Sequence, residues 1–566
     1  MEREWWKKAI IYQIYPRSFN DSDGDGIGDL TGIRKKIGYL EYLGIDAVWL
    51  NPVYDSPNVD NGYDVRNYRK IMDEFGTMEE MEQLIRDLHD RGIKLIMDFV
   101  PNHTSDQHRW FQRSKTSQNS EYRGYYIWRK GNNGEPPNNW QSLFGGSAWR
   151  YDDKTGEYYL HLFSEGQPDL NWDNPNVREE FYEIMRWWLG KGIDGFRLDV
   201  VNLISKNPSL PDDSTDKSTN PGSKYYVNGP KIHRYLQEMN EEVFLGSDTV
   251  AIGETPFVST GEASKYISSS RNELDMIFHF DFVDFDRANG GLWELPRDWD
   301  LTELKRIMTK WRDVASCHDG WNATYLGNHD NPRIVTRYGN DGKYRRESAQ
   351  VLGTLLLTIS GTPFIYQGDE LGMTNYNFSS LDQVKDVRTK KGFEEMKQKG
   401  NVDNFEEVED IVSFWCRDNA RTPMQWSGEE KGGFTDGEPW LNVNPNKNRV
   451  NVETEKLDDN SVLSYYRELI SLRKENDALI YGDYELILED DESIFAFLRI
   501  GSKNTMMTLL NFTSEKTKLC LTKKETLRRK ELLLSNYSVK SVDEFNNIEL
   551  MPWEARLYEV CLNDKN

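Results

Sequence analysis

Cysteine is scarce. Only Cys317, Cys416, Cys520 and Cys561 occur in 566 residues, far apart and without a CxxC pair. A disulfide framework and a zinc-ribbon site are therefore excluded, and reduced thiols in a cytoplasmic protein are expected. Long apolar runs are also missing. None approaches the roughly 18 residues of a membrane-spanning helix, and "MEREWWKKAIIYQIYP" has no apolar signal-peptide core. Basic residues are in the minority, 70 Lys and Arg against 94 Asp and Glu, for a formal charge of −24. Such a surface repels nucleic acid and anionic membrane and suits a neutral small molecule. The expectation is a soluble monomer. What the chain does have is aromatic residues, 13 % of the total, so it folds as a globular protein of several domains.

Eight short β-branched or aromatic runs recur along the chain. They are 9–19, 46–53, 94–103, 195–200, 249–255, 275–282, 321–330 and 362–370. Between most of them lie stretches of helical period, such as 77–92 and 176–192, each ending near a glycine. Alternating strands and helices predict a parallel α/β sheet. Polar residues gather at the C-terminal end of nearly every run, which favours a closed (β/α)8 TIM barrel over an open sheet with one crevice. The expected organisation is a first barrel part over 1–103, an inserted lid over 104–170, and a second barrel part over 171–480. That second part carries a charged insert at about 374–455. An antiparallel β-sandwich domain then fills 481–566.

Three carboxylates close predicted strands: Asp199 after "GFRL", Glu254 after "AIG" and Asp330 in "GNHD". A strand-terminal aspartate can merely cap the next helix. Three on separate strands, beside His103, Arg197 and His329, converge on one pocket instead. Glycoside cleavage needs such a set, with one carboxylate ionised and another protonated. Arg197, two residues before Asp199 on the same strand face, is expected to keep that carboxylate ionised, while the apolar neighbours of Glu254 favour a raised pKa.

"DFVPNH" (98–103), "GFRLDV" (195–200), "IGET" (252–255) and "NHD" (328–330) resemble, in order, the four motifs of the α-amylase superfamily of glycoside hydrolases. "QPDLNW" (167–172) matches a fifth. "DNGYD" (60–64) and "RDNARTPMQW" (417–426) are similar to the oligo-1,6-glucosidase and α-glucosidase subgroup. The resemblance implies a retaining mechanism with Asp199 as nucleophile, Glu254 as general acid and base, and Asp330 gripping the distorted sugar. It implies hydrogen bonds from His103 and His329 to that sugar, stacking by Tyr63 and Phe144, and a contact from Gln167. It also implies that Asp60 and Arg417 hold the far hydroxyls of a terminal glucose, which makes the enzyme exo-acting. The alternatives for these residues are a core histidine at His103, lid packing at Phe144 and a surface ion pair between Asp60 and Arg417. Val200, after the nucleophile, is associated in this subgroup with α-1,6 links, so isomaltose, short isomalto-oligosaccharides and sucrose are the expected substrates. Sucrose isomerases and trehalose-6-phosphate hydrolases share most motifs. The isomerases' RLDRD stretch meets Asp284–Ala288 here, which keeps only the central Asp-Arg. Non-catalytic partners of transporters form a further alternative, but those lack the carboxylates.

"NDSDGDGIGDL" (20–30) follows the first run with carboxylates at positions 1, 3, 5 and 9 of a calcium-loop pattern, at Asp21, Asp23, Asp25 and Asp29. Position 12 is Gly32 instead of the bidentate Glu of a sensor hand. The four aspartates with the Ile27 carbonyl could enclose a hard cation, and the resemblance implies structural calcium, with magnesium as the alternative.

Overall fold

The computed structural model describes residues 4–214, 220–288, 293–519, 527–539 and 548–562. Cys520 and the end of the 278–290 stretch fall outside them.

Every one of the eight runs contains a strand. In chain order these are β1 (Ile11–Ile14), β2 (Ala47–Leu50), β3 (Lys94–Phe99), β4 (Gly195–Leu198), β5 (Val250–Glu254), β6 (Met276–Phe278), β7 (Ala323–Tyr325) and β8 (Thr362–Tyr366). All adjacent pairs are parallel, in the order β6-β5-β4-β3-β2-β1-β8-β7. The end strands meet as well: Tyr325 and Phe278 pack edge to face with centroids 5.0 Å apart, and the Tyr325 hydroxyl donates to the His279 carbonyl at 2.6 Å. The sheet is thereby curled into a barrel. Its strands are shorter than the runs because, except at β5, where Glu254 still pairs with Phe278, the chain leaves the ladder before the terminal polar residues. β3 stops at Phe99, and Asn102 and His103 stand beyond it at the rim.

Local chemistry sets the helix limits. The helix Met78–His89 opens on a capping box between Thr77 and Glu80, and Pro175–Lys191 has Asn174 as cap and proline in its first turn. The insert after β3 builds a small antiparallel sheet of Trp128–Arg129, Glu157–Leu160 and Trp149–Asp152, with Glu157–Leu160 in the middle. It is tied to the rim where Asp169 accepts from Lys206 at 2.7 Å and from Asn102 at 3.0 Å. The segment after β8 folds back over the first loop. Met424 donates to the Ser18 carbonyl at 2.8 Å, Trp440 to the Gly26 carbonyl at 3.0 Å, and Asp21 to the Phe434 carbonyl at 3.0 Å.

At the C-terminal end, β9 (Asp483–Leu486), β10 (Ile494–Ile500), β11 (Thr505–Asn511), β12 (Leu527–Ser535) and β13 (Ala555–Leu562) form one antiparallel sheet in the order β9-β10-β11-β13-β12. A two-stranded ladder of Thr517–Lys518 and Glu549–Leu550 packs Leu519, Ile548 and Leu550 against its Ala496, Met507 and Leu509. Cys317, Cys416 and Cys561 are free thiols.

Candidate active site

The strand ends bring two of the three carboxylates, Asp199 and Glu254, together with Asp98 around one guanidinium. Arg197 projects from β4 and is 1 % exposed. Its Nη1 lies 2.9 Å from Asp98 and 2.7 Å from Asp199, and its Nη2 lies 2.5 Å from Glu254. Residues of β3, β4 and β5 thus converge because parallel neighbours in register present their C-terminal residues side by side. Three carboxylates on one cation leave excess negative charge in a dry site. Burial accordingly pushes Asp199 well up, against Arg197, and pushes Glu254 and Asp98 up as well. Two expectations change. Arg197 does not by itself hold Asp199 at an ordinary acidity, since burial outweighs it. Glu254 owes its raised pKa to burial and to the nearby charges of Asp330 and Asp98, and it sits on Arg197 instead of among neutral groups.

Asp330 has the opposite setting. Arg421 contacts its Oδ1 at 2.6 Å and Arg417 at 3.4 Å, while a third of its side chain remains open. Burial raises its pKa, but the adjacent His329, Arg417 and Arg421 hold it below the usual carboxylate range. Burial pushes His329 down to about 3 and His103 to about 4, so both are neutral at pH 7. The two arginines therefore supply the charge that keeps Asp330 ionised. Gln13 donates to His329 Nδ1 at 2.9 Å, which places the ring proton on Nε2, the nitrogen beside Asp330 at 3.4 Å.

The remaining candidates form a second chain of contacts. Arg417 Nη2 reaches Asp60 at 3.0 Å, Asp60 accepts from Gln167 at 3.2 Å, and Gln167 meets His103 Nε2 at 3.2 Å. The Asp60–Arg417 pair is buried, which removes the reading of a surface ion pair. The Arg417 guanidinium also lies over the Phe144 ring, 5.4 Å from its centroid. Tyr63 runs parallel to His329 at 5.4 Å, and its hydroxyl contacts His329 Nε2 at 2.8 Å and donates to Asp98 at 2.9 Å. Val200 departs from a plain strand residue. It sits at φ +36°, its side chain packs among Ile127, Trp140 and Leu203, and its amide donates to Glu254 at 3.0 Å.

Several partners were not singled out from the sequence. Asp98 lies inside the motif 98–103, and Gln13 and Asn51 lie in the runs 9–19 and 46–53; Asn51 Nδ2 donates to the Tyr63 hydroxyl at 2.8 Å. Asp386, 2.6 Å from Arg417, comes from the insert after β8, where no local pattern marks it. In the stretch 284–288, which keeps only the Asp-Arg of the isomerases' RLDRD, Asp286 is locked to buried Arg337 and Arg287 pairs with Asp284 at 2.8 Å.

Of the aspartate loop, Asp21, Asp23 and Asp29 bring carboxylate oxygens within 4.8 Å of one another. Asp25 lies outside that group and accepts from the Ile27 amide at 2.8 Å. Asp21 accepts amides of Asp23, Gly24 and Gly26, and Asp29 those of Ser22 and Gly32. Asp21 also accepts the Thr435 hydroxyl, so its two oxygens already take four hydrogen bonds, whereas the carboxylates of Asp23 and Asp29 keep lone-pair capacity for a hard cation beside it.

The sequence pattern described as "Alpha amylase, catalytic domain" matches residues 13–482. An oligo-1,6-glucosidase of Parageobacillus thermoglucosidasius is 52 % identical over 564 residues, 99 % of this chain and 100 % of that protein. A trehalose-6-phosphate hydrolase of Bacillus subtilis (strain 168) is 44 % identical over 98 % of both chains. The crystal structure of an isomaltulose synthase mutant from Erwinia rhapontici NX5, in complex with its natural substrate sucrose, superposes with TM-score 0.95 at 45 % identity, covering 99 % of this chain and 100 % of that one.

Proposed function

The chain belongs to the α-amylase family of glycoside hydrolases, and from that premise we propose a retaining, exo-acting α-glucosidase that releases glucose from isomaltose and short α-1,6-linked oligosaccharides, and from sucrose. The contrast between the Arg197 cluster and Asp330 carries the reading. A buried set of carboxylates around one guanidinium retains a proton, while Asp330 beside two arginines stays charged. Burial raises both acids, so Asp199 and Glu254 bind one proton between them. In the reactive form Glu254 carries it, and Asp199, 2.7 Å from Arg197, is ionised and attacks the anomeric carbon as Glu254 gives its proton to the departing oxygen. The leaving sugar goes, and a glucosyl ester on Asp199 remains. Glu254 then takes a proton from water, which displaces the ester and restores the starting state. Asp330 binds ring hydroxyls throughout. His103 and His329, neutral, serve as hydrogen-bonding groups and not as acids.

In this reading Asp60, Gln167 and Arg417 close the far end of the pocket, with Phe144 under Arg417 and Tyr63 stacked on His329. A closed end admits one glucose unit, hence exo action. Val200 crowds the α-1,4 arrangement at the leaving side. Its contact with the lid core supports a fixed wall.

We further propose calcium, or magnesium in its place, at Asp21, Asp23 and Asp29, with Asp25 and the Ile27 carbonyl completing the shell. The cation stiffens the loop and takes no part in bond cleavage. No helix among the described residues is long and apolar enough to cross a membrane.

The decisive experiment is a substrate panel of isomaltose, maltose, sucrose and trehalose 6-phosphate with chromatographic products. Isomaltose is expected to exceed maltose in kcat/KM, and Val200→Thr is expected to narrow that ratio. Release of isomaltulose from sucrose, or selective cleavage of trehalose 6-phosphate, would assign the chain to the corresponding relatives instead. A wild type inert on all four would move it to a non-catalytic binding role, and full activity of Asp199→Asn would remove Asp199 as the nucleophile.

A further inference from the structure

Three residues past Glu254 stands a side chain that packing does not explain. Phe257 is 56 % exposed, and its backbone sits at φ +59°. A bulky residue in the left-handed region is a genuine outlier. A phenyl ring left in water also forgoes the burial that normally stabilises it. Neither feature comes from fraying, because the segment is held on both sides. Thr255 donates to the Phe278 carbonyl through its amide at 3.1 Å and through its hydroxyl at 3.0 Å. Asn202 donates to the Pro256 carbonyl at 2.8 Å. Ser259 caps the helix Thr260–Ile267 by accepting the Glu262 amide. Strain that a surrounding structure over-determines points to use.

Position supplies the use. Asn202 lies three residues past Asp199, so its bond to Pro256 joins the loops that leave the strands of both proposed reacting carboxylates. Three residues of chain reach at most about 11 Å, which keeps Phe257 close to Glu254. A general acid protonates the oxygen that departs with the leaving sugar. An exposed apolar ring held within that reach of the acid is in range of the leaving sugar, whose C–H face packs well on an aromatic surface.

We propose that Phe257 is a specificity-determining platform for the sugar on the leaving side of the scissile bond, an inference that rests on the glucosidase reading. The test compares wild type, Phe257→Gly and Phe257→Trp on isomaltose, with an iminosugar the size of one glucose as inhibitor. Phe257→Gly is expected to raise KM about five- to tenfold, the scale of one lost stacking contact. Its kcat should stay within about twofold, its inhibitor Ki should not move, and Phe257→Trp should restore KM. Its melting temperature should equal or exceed wild type, since glycine takes the left-handed conformation freely. An unchanged KM overturns the inference. A lower melting temperature with a parallel rise in Ki overturns it too, by assigning Phe257 to the fold. A wild type inert on isomaltose overturns both readings, whereas an active wild type whose KM ignores Phe257 overturns this one alone.

Discussion

Arg197 touches three carboxylates, and any change at one of them is felt by the others. Asp199→Asn removes the nucleophile without changing volume, and kcat on isomaltose is expected to fall by about 10³-fold or more. Circular dichroism and melting should remain native, which separates lost chemistry from lost fold. The alkaline limb of the pH–rate profile belongs to Glu254. Burial raises its pKa against Arg197, and Asp330 adds to the rise, so the proton is kept above an ordinary glutamate's range. Activity should therefore decline only at pH values above that range, where the acid form is lost. Asp60→Asn tests the closed end of the pocket. It removes the charge of a buried acceptor bonded to Arg417 and Gln167, and kcat/KM on isomaltose should drop by about 10²-fold, the scale of losing a charged hydrogen-bond partner for the sugar's far hydroxyls. Asp386 still holds Arg417, so the loss should exceed any fall in melting temperature.

At the scale of elements, the aspartate loop is a clamp between β1 and the segment after β8. Gly26 has φ +90°, and a Cβ there would sit 1.8 Å from the Glu438 carbonyl oxygen. Gly32, at the position a sensor hand gives to glutamate, would likewise meet the Asn20 carbonyl at 1.8 Å. Backbone cannot yield at either place as a flexible side chain would. Gly26→Ala is expected to destabilise by about 2 kcal/mol or more, measured by thermal or urea unfolding. Removing the cation should act in the same place. Chelation is expected to lower the melting temperature by several degrees, and re-addition of calcium should restore it. An unchanged melting curve in protein verified as metal-free would remove the cation from this loop.

For the whole molecule, buried titratable groups set opposing slopes of stability with pH. Burial holds His108, His279 and His329 at about 3 and His103 at about 4. The unfolded chain binds their protons from about pH 6.5 downward, so these groups make stability fall on acidification. Burial raises Asp64 and Asp275 to about 6 and Asp369 to about 8. The unfolded chain releases those protons near pH 4, so these groups make stability fall as pH rises through their windows. The two sets offset each other between about pH 4 and 6. Above pH 6.5, Asp369 still titrates up to about 8 and lowers stability by about 1–2 kcal/mol, whereas Lys305, lowered by burial to about 8, adds stability only from about that pH upward. Asp369→Asn should flatten the slope of melting temperature between pH 6.5 and 8.5; an unaltered slope would place the titration elsewhere.

The sequence alone determined the eight strands and the carboxylates at their ends. Apolar runs with polar C-termini are local patterns, and a barrel strand buried on both faces has few other ways to read. It also indicated His103, His329 and Asp60, because their motifs are contiguous in the chain. What only the tertiary structure decided were the partners. Asp386 reaches Arg417 across a fold with no local periodicity, Arg421 comes to Asp330 from the same insert, and the first loop is closed by Trp440 and Phe434 more than 400 residues away. The acidities followed the same division. Sequence neighbours gave Glu254 an apolar setting, yet burial and charge act through space, and there it meets Arg197. Its proton is set by groups from three strands that adjoin only after the barrel closes.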